Sequence, residues 1–397
     1  MLLDDNPSVV DYFNFTNYVK ILTNIIVDIG STPFTIGIFG PWGSGKTTLM
    51  KLIHNKLNNK CKTIWFNPWK YDNKEAVWNA FIQSIFEQMK KDLEFQADKR
   101  SNDLINQIVK CGKKLAWYTF KIGANKLTSG VFSDDFLDSL KESFNSNEEA
   151  YEFINKFEYI FSKLISDYCD GKKLVIFIDD LDRCIPENAI TILESIKLYM
   201  GESNTVFVLG LEKEIVEKGI RFRYKSEIDF SGKDYLEKII QLPFMIPSVR
   251  NDDIMKYISE LRNLPILPST HEDEFIKLVL SGTDGNIRKV KRFLNCFYVL
   301  KVLSKINPDD YGRHNILAKI LLLQMRFPAF YKRLCRDFKL LSRITKEVNE
   351  GRHPDLSLFC RDEEEQQALY DFLSKSKDVQ HASGLVSECV TLASLTA

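Results

Sequence analysis

Thr35-Ile-Gly-Ile-Phe-Gly40-Pro-Trp-Gly43-Ser-Gly45-Lys46-Thr47-Thr48-Leu49-Met50 opens as an apolar run of β character and then gives three glycines in six residues. It continues as a helical pattern in which Leu49, Met50, Leu52, Ile53 and Leu57 share one face. Gly40 to Thr47 fits G-x-x-x-x-G-K-[ST], the phosphate-binding loop. The spacing has a chemical reason. A strand delivers the chain to a tight loop, where glycines let backbone N–H groups approach phosphate oxygens. The following helix adds the positive end of its dipole. In such a loop Lys46 reaches the β- and γ-phosphates and the Thr47 hydroxyl holds Mg2+. A glycine-rich turn is the plainer alternative, but a strand and a helix flank this one, as the loop requires.

A second stretch answers the first. Leu174-Val-Ile-Phe-Ile178 is five successive apolar residues, followed by Asp179-Asp180-Leu181-Asp182-Arg183. Such a run predicts a strand buried on both faces, as in a parallel sheet. Carboxylates at its C-terminal end stand where open α/β sheets bind ligands. Asp179 can hold Mg2+ through water, and Asp180 can orient an attacking water. The competing reading is an acidic cluster at a helix N-terminus, before Pro186.

The rest of the chain sets the context. With 397 residues it is too long for one ordinary core, so two or three domains are expected. Hydrophobic residues make up 44% and charged residues 27%, an ordinary globular balance. Lys+Arg and Asp+Glu are equal at 54 each, so contact with nucleic acid or membrane would need a local patch. The eight cysteines form no C-x-x-C pair, which argues against a zinc site or disulfide framework and for reduced thiols in a cytosol. Acidic residues stand where a signal peptide would be positive, so no export signal is expected and the location predicted is cytoplasmic. Leu115–Phe120, bracketed by lysines, is far short of the ~20 apolar residues that span a bilayer.

Taken in order, residues 9–29 predict helix, 34–39 the first strand, 61–66 a second, and 75–93 an amphipathic helix. Residues 95–170 read as a largely helical insertion, with helices near 104–109 and 153–165 and a polar loop over 129–147. After the third strand come a helix over 187–200, a strand over 204–210, a helix over 211–220 and a fifth strand over 242–246 shortened by prolines. Beyond Pro247 the pattern is helical, over 252–262, 272–281, 286–302, 314–326 and 362–374, and the last dozen residues are expected to fray. Arg288, Lys289, Lys291 and Arg292 lie off the apolar stripe of the third of these helices. They allow three readings: a solvated face, a γ-phosphate sensor, or a nucleic-acid contact.

Together these motifs resemble the KAP family of P-loop NTPases, related to the AAA+ and STAND ATPases. The resemblance rests on Phe39–Thr48, Trp65-Phe-Asn-Pro-Trp-Lys-Tyr-Asp72 and Val175–Arg183, supported by Tyr235–Pro243 and Gly285–Asn295. It implies an α/β fold: a parallel five-stranded sheet with another strand between the two motif strands, a helical insertion and a C-terminal helical lid. The implied domains are an N-terminal helical segment over 1–30, an NTPase core over 31–94 and 171–248, the insertion over 95–170 and the lid over 249–397. It implies ATP and Mg2+ as cofactors, with Gly40, Pro41, Trp42, Gly43, Ser44, Gly45, Lys46, Thr47 and Thr48 as the nucleotide contact and Thr47 and Asp179 as metal ligands. Asp180 would position the water, beside Lys46, and Arg288 sits where a related lid arginine reaches the γ-phosphate. Two departures matter. Many family members carry membrane-spanning helices between the two nucleotide motifs, and none is seen here. Related ATPases usually have Glu at the position of Asp180, which is one methylene shorter and bears on the hydrolysis rate. Bacterial members are frequently associated with defence against phages or with plasmid exclusion.

Three functions follow as expectations. The first is an ATP-hydrolysing machine whose lid and insertion move with nucleotide state, possible as a homo-oligomer with Arg221 or Arg223 acting on a neighbour. The second is a slow nucleotide-gated switch that recruits an effector protein. The third is a nucleic-acid-binding ATPase using the 288–292 cluster. ATP over GTP rests on the family, since the sequence has no N-K-x-D motif. The histidines His54, His271, His314, His353 and His381 are isolated, and no nuclease or deaminase constellation is seen.

Overall fold

The computed structural model describes residues 2–4, 11, 14–71, 74–95, 99–122, 159–198, 204–223, 232–247, 249–260, 272–304, 306–307, 310–374 and 383–396. The polar loop expected over 129–147 lies outside the described residues, as does the start of the helix expected from 153. The chain divides into two compact units. One is Pro7–Val9 with Phe15–Pro247; the other is Met1–Asn6 and Val10–Asn14 with Ser248–Ala397.

The first unit is built on one parallel sheet. Its strands are β1 (Phe34–Phe39), β2 (Lys62–Phe66), β3 (Leu174–Ile178), β4 (Thr205–Leu211) and β5 (Leu242–Met245), in the order β2-β3-β4-β1-β5. β4 therefore separates the two motif-bearing strands, as the resemblance implied. The register sets Ile38 beside Gly210 and Ile178 beside Leu209. Gly40 and Asp179 thus leave the same edge of the sheet with one strand between them, about 10 Å apart at the strand spacing. Pro243 is tolerated because β5 is an edge strand.

β3 and β4 are buried on both faces, and the alternation of side chains along the strands sorts the helices. Ile64, Phe66, Leu174, Ile176, Ile178, Phe207 and Leu209 share a core with α3 (Lys74–Glu94), α4 (Lys99–Ile122), a helix α5 over 159–169 and α6 (Pro186–Leu198). The alternate residues point the other way: Trp65 stacks on Phe177, and His54 of α2 (Lys46–Leu57) packs edge-on to both. Burial lowers the His54 pKa, with a hydrogen bond to Asn55 opposing it, and this half-buried histidine packs against the sheet. α1 (Thr16–Asp28) packs on α2. α7 (Lys213–Arg223) and α8 (Gly232–Ile239) follow β4, and α8 was not expected from the sequence.

The second unit is helical among its described residues. It holds α9 (Asn251–Glu260), α10 (Glu272–Thr283), α11 (Ile287–Ser304), α12 (Tyr311–Arg326), α13 (Pro328–Leu334), α14 (Leu340–Asn349), α15 (Glu363–Ser374) and α16 (Ser383–Ala393). α12 is its central helix, buried on all sides from His314 to Leu323. The expected fraying of the last dozen residues is overturned by α16. Val386, Cys389, Val390 and Ala393 recur at i, i+3, i+4 and i+7 and are buried against α12. Gln324 and Tyr331 donate hydrogen bonds to the carbonyls of Ala393 and Val390 at 3.0 and 3.3 Å, which ties the helix down.

Candidate nucleotide-binding site

The loop between β1 and α2 is shaped by its glycines. Gly43 and Gly45 have φ of 82° and 96°, conformations that side chains with a Cβ rarely adopt. Gly40 serves differently: a Cβ there would lie 2.5 Å from Ser44 Oγ. Ser44 Oγ is buried and has no hydrogen-bond partner among the described residues. Lys46 is 8% exposed and turns back along the loop. Its Nζ donates to the carbonyls of Gly40 and Pro41 at 2.8 and 3.3 Å, closing the loop into a ring.

Three carboxylates leave β3 in succession, each with its own partners. Asp179 is 2% exposed and continues the ladder, its N–H donating to the Phe66 carbonyl at 3.1 Å. Its carboxylate accepts from the Asp180 N–H at 3.0 Å, and the Thr47 hydroxyl lies near enough to favour its charged form. Burial, with the neighbouring Asp180 charge, pushes its pKa up to about 6 against these two groups and the Lys46 charge. Gly210 on β4 makes room for it, since a Cβ there would lie 2.8 Å from Asp179 Oδ1 and 2.6 Å from Met50 Sδ.

Asp180 sits in the left-handed region at φ 59°, which turns its side chain away from that of Asp179. Its Oδ2 accepts from Asn67 Nδ2 and its Oδ1 from Arg183 Nε, both at 2.8 Å. Asn67 is fixed in turn, its Oδ1 capping the turn Pro68–Lys70 through Trp69 N–H at 3.0 Å. The Arg183 guanidinium lies 5.3 Å from the Trp69 ring centre. Asp182 is buried, and its Oδ2 meets Trp42 Nε1 at 2.8 Å and Lys46 Nζ at 3.4 Å. Cys184 closes this turn beneath, and burial with the Asp180 and Asp182 charges pushes its thiol up to about 12.

A family model, the KAP family P-loop domain, matches residues 15–303. The chain belongs to the KAP family of P-loop NTPases. The chain is 28% identical over 174 residues to an uncharacterized protein of Methanocaldococcus jannaschii, a match covering 38% of this chain and 86% of that one. It is 23% identical over 278 residues to the phage T7 exclusion protein of Escherichia coli, covering 62% of this chain and 34% of that protein. The match therefore spans about a third of that protein's length. Among solved structures, the Orc1 protein of Aeropyrum pernix in complex with DNA superposes with a TM-score of 0.44 at 13% identity, over 98% of this chain and 86% of that one. Cdc6p of Pyrobaculum aerophilum gives a TM-score of 0.46 at 10% identity, over 98% and 99%.

The KAP loop fits a nucleoside triphosphate on its own geometry. Lys46 is drawn in by two carbonyls, Ser44 Oγ is an orphaned donor, and a Cβ at Gly40 would collide with that hydroxyl. Thr47 and Asp179 fit a divalent cation, being oxygen ligands near enough that the hydroxyl favours the charged carboxylate. Among the described residues no three His, Cys, Asp or Glu side chains gather into a metal cage. A cation here would take its other ligands from phosphate and water, as Mg2+ commonly does.

The structure thus brings Lys46, Thr47, Asp179 and Asp180 to one end of the sheet. Arg288 belongs to the second unit, in the first turn of α11, where Asn286 Oδ1 caps its N–H at 3.1 Å. Arg221 is exposed on α7, and Arg223 ends that helix. The sequence assigned no role to Asn67, Trp69 or Arg183. Their signal lay in two quoted motifs, Asn67-Pro-Trp and Asp180-Leu-Asp-Arg183, whose partners are 113 residues apart in the case of Asn67 and Asp180. Among the described residues no helix is long and apolar enough to cross a membrane.

Proposed function

We propose that this KAP protein binds ATP with Mg2+ in the loop of residues 40–48 and hydrolyses it in the cytoplasm. The observation that carries the reading is the coupling of the two motifs: Lys46 Nζ, closed over its own loop at 2.8 Å from the Gly40 carbonyl, lies 3.4 Å from Asp182 Oδ2, which also meets Trp42 Nε1 at 2.8 Å. Lys46 would direct its charge at the β- and γ-phosphates, while Thr47 and Asp179 hold the metal. Bound Mg2+ supplies Lewis-acid polarisation of the phosphoryl oxygens. Asp180 would orient the attacking water and take its proton, the second unit would act as the lid, and the γ-phosphate would meet either Arg288 of that lid or an Arg221 from a neighbouring copy.

One observation favours a slow, partner-gated form of this activity over a fast machine. Both oxygens of Asp180 are engaged, by Asn67 and by Arg183. Each oxygen keeps a lone pair, but the two bonds fix the orientation of the carboxylate and leave few directions from which a water can be served, so basal turnover should be low until a partner moves Asn67 or Arg183. The likeness to a phage exclusion protein supports a role in bacterial defence against phage, with an effector protein or a homo-oligomer as the gating partner. The test is turnover and mass on one purified sample, with and without ATP. Turnover near ~10⁻³ s⁻¹ supports the switch, and above roughly 1 s⁻¹ the machine. No binding of ATP at all would end both readings.

A further inference from the structure

Lys332-Arg-Leu-Cys-Arg-Asp-Phe-Lys-Leu-Leu-Ser-Arg-Ile-Thr-Lys346 carries six basic residues against one acidic, in a chain whose net charge is zero. The fold separates this charge from the apolar residues among which it is interleaved. Leu334, Leu340, Leu341 and Ile344 are buried, while Lys332, Arg333, Arg336, Lys339, Arg343 and Lys346 are all exposed. The six therefore cover the outer surface of α13, α14 and the turn between them.

Little inside the protein answers this charge. Arg343 meets Asp337 at 3.5 Å and Lys346 meets Glu350 at 3.9 Å, both as exposed pairs that solvent screens. Lys332, Arg333, Arg336 and Lys339 have no ion-pair partner among the described residues. Glu363, Glu364 and Glu365 open α15, which packs against α14, yet none of them lies within ion-pair distance of the six cations. The cluster at 288–292 differs. Lys289 pairs with Asp284 at 3.3 Å, and Lys291 donates to the Asp4 carbonyl at 3.1 Å, so part of that charge is spent within the unit. Like charges at such short spacing repel one another.

We infer that this face of α13 and α14 binds the phosphodiester backbone of a nucleic-acid duplex, without reading its sequence. The neighbouring residues select among polyanions. A membrane-surface site sets large apolar side chains beside its cations, and no large apolar residue of 328–349 is exposed. A single-strand site offers rings for bases to stack on. Here Phe330 and Tyr331 are buried and Phe338 is half-buried. What remains is a row of cations matched to the regular, dense charge of a duplex. The inference is independent of the nucleotide site.

The experiment uses the full chain and labelled duplexes of arbitrary sequence, one DNA and one RNA, of about 30 base pairs, titrated at several salt concentrations. With four to six phosphates neutralised, the log–log salt slope should lie between about −3.5 and −5.5. Replacing Lys332, Arg333, Arg336 and Lys339 together by Ala should flatten the slope by about 3 to 4 and weaken binding at least about 100-fold at low salt. The four sites are exposed, so melting temperature and affinity for an ATP analogue should not change. The charge-preserving pair Lys332→Arg, Lys339→Arg should bind as the parent does, and Lys289→Ala, Lys291→Ala should leave duplex binding intact. Equal binding of both duplexes fits a pure backbone contact, and a preference identifies which duplex the surface serves. Absence of duplex binding at low salt overturns the inference, as does full binding by the quadruple variant. So does tighter binding to a single strand or to phosphatidylserine vesicles.

Discussion

Asn67 and Asp180 are 113 residues apart in the chain and 2.8 Å apart in the fold, the amide of one donating to Oδ2 of the other. The pair joins the end of β2 to the end of β3, adjacent parallel strands. Asn67→Ala frees one oxygen of the proposed water-positioning carboxylate and leaves Arg183 on the other. If that bond restrains Asp180, basal ATP turnover should rise by about fivefold, the worth of a net hydrogen bond near 1 kcal/mol. Affinity for a non-hydrolysable analogue should not change. A fall in turnover would instead make Asn67 part of the productive geometry and remove the case for a gated switch. Asp180→Asn should keep ATP and Mg2+ binding and lose hydrolysis, measured as trapped ATP on the protein.

Lys46 and Asp182 form the second relationship that can be tested. Lys46→Ala removes the charge aimed at the phosphates, and binding of a labelled ATP analogue should be lost, since a charge-assisted contact is worth about 1.5–3 kcal/mol. The same variant leaves Asp182, a buried carboxylate, with Trp42 as its remaining donor of the two. It should therefore also unfold more easily without nucleotide, by on the order of 1–3 kcal/mol in denaturant titrations. Adding Asp182→Asn to Lys46→Ala should restore much of that stability and none of the binding. Full analogue binding by Lys46→Ala would remove the nucleotide reading altogether.

Asp179 predicts a pH dependence. Its folded pKa of about 6 lies above the ordinary carboxylate value of 3.8, so the folded state binds the extra proton first. Between those two values stability without nucleotide should rise as pH falls, and the contribution is lost as pH rises through about 6. The full effect is at most about 3 kcal/mol. Asp179→Asn should consequently raise the melting temperature of the nucleotide-free protein at pH 7.5, with the gain shrinking toward pH 4.5. It should also abolish Mg2+-dependent tightening of ATP binding. A lower melting temperature for the variant at pH 7.5 would contradict the desolvation account.

The sheet was legible because its physics is local. Leu174–Ile178 and Val206–Leu209 are apolar runs too short for helices, and a parallel strand buried on both faces has to look that way. The phosphate loop was legible because φ values such as those of Gly43 and Gly45 admit few residue types. The Asn67–Asp180 and Trp42–Asp182 bonds were not, because nothing local in a sequence says which distant polar groups converge. α16 was missed for another reason. Its stripe is made of Val, Cys and Ala, small residues whose periodicity is weak until the large core of α12 is there to receive it.

The last prediction separates two sources for the missing positive charge. A loop, a metal and two carboxylates leave part of the γ-phosphate's transition-state charge uncompensated, and an arginine supplied there is worth ~10³–10⁵ in rate. Arg288, capped in the first turn of α11 by Asn286, would supply it within one subunit. Arg221, exposed on α7 in the unit that carries the phosphate loop, would supply it to a neighbour, with Arg223 two residues on. We expect the second. Activity per subunit should then rise steeply with protein concentration. An Arg221→Ala, Arg223→Ala protein mixed with Lys46→Ala protein should recover part of the activity, because one keeps a working loop and the other a working arginine. If Arg288 acts alone in cis, Arg288→Ala should be inactive while mixing recovers nothing. Flat specific activity across a hundredfold dilution, with a monomeric mass throughout, would decide for the single-subunit mechanism.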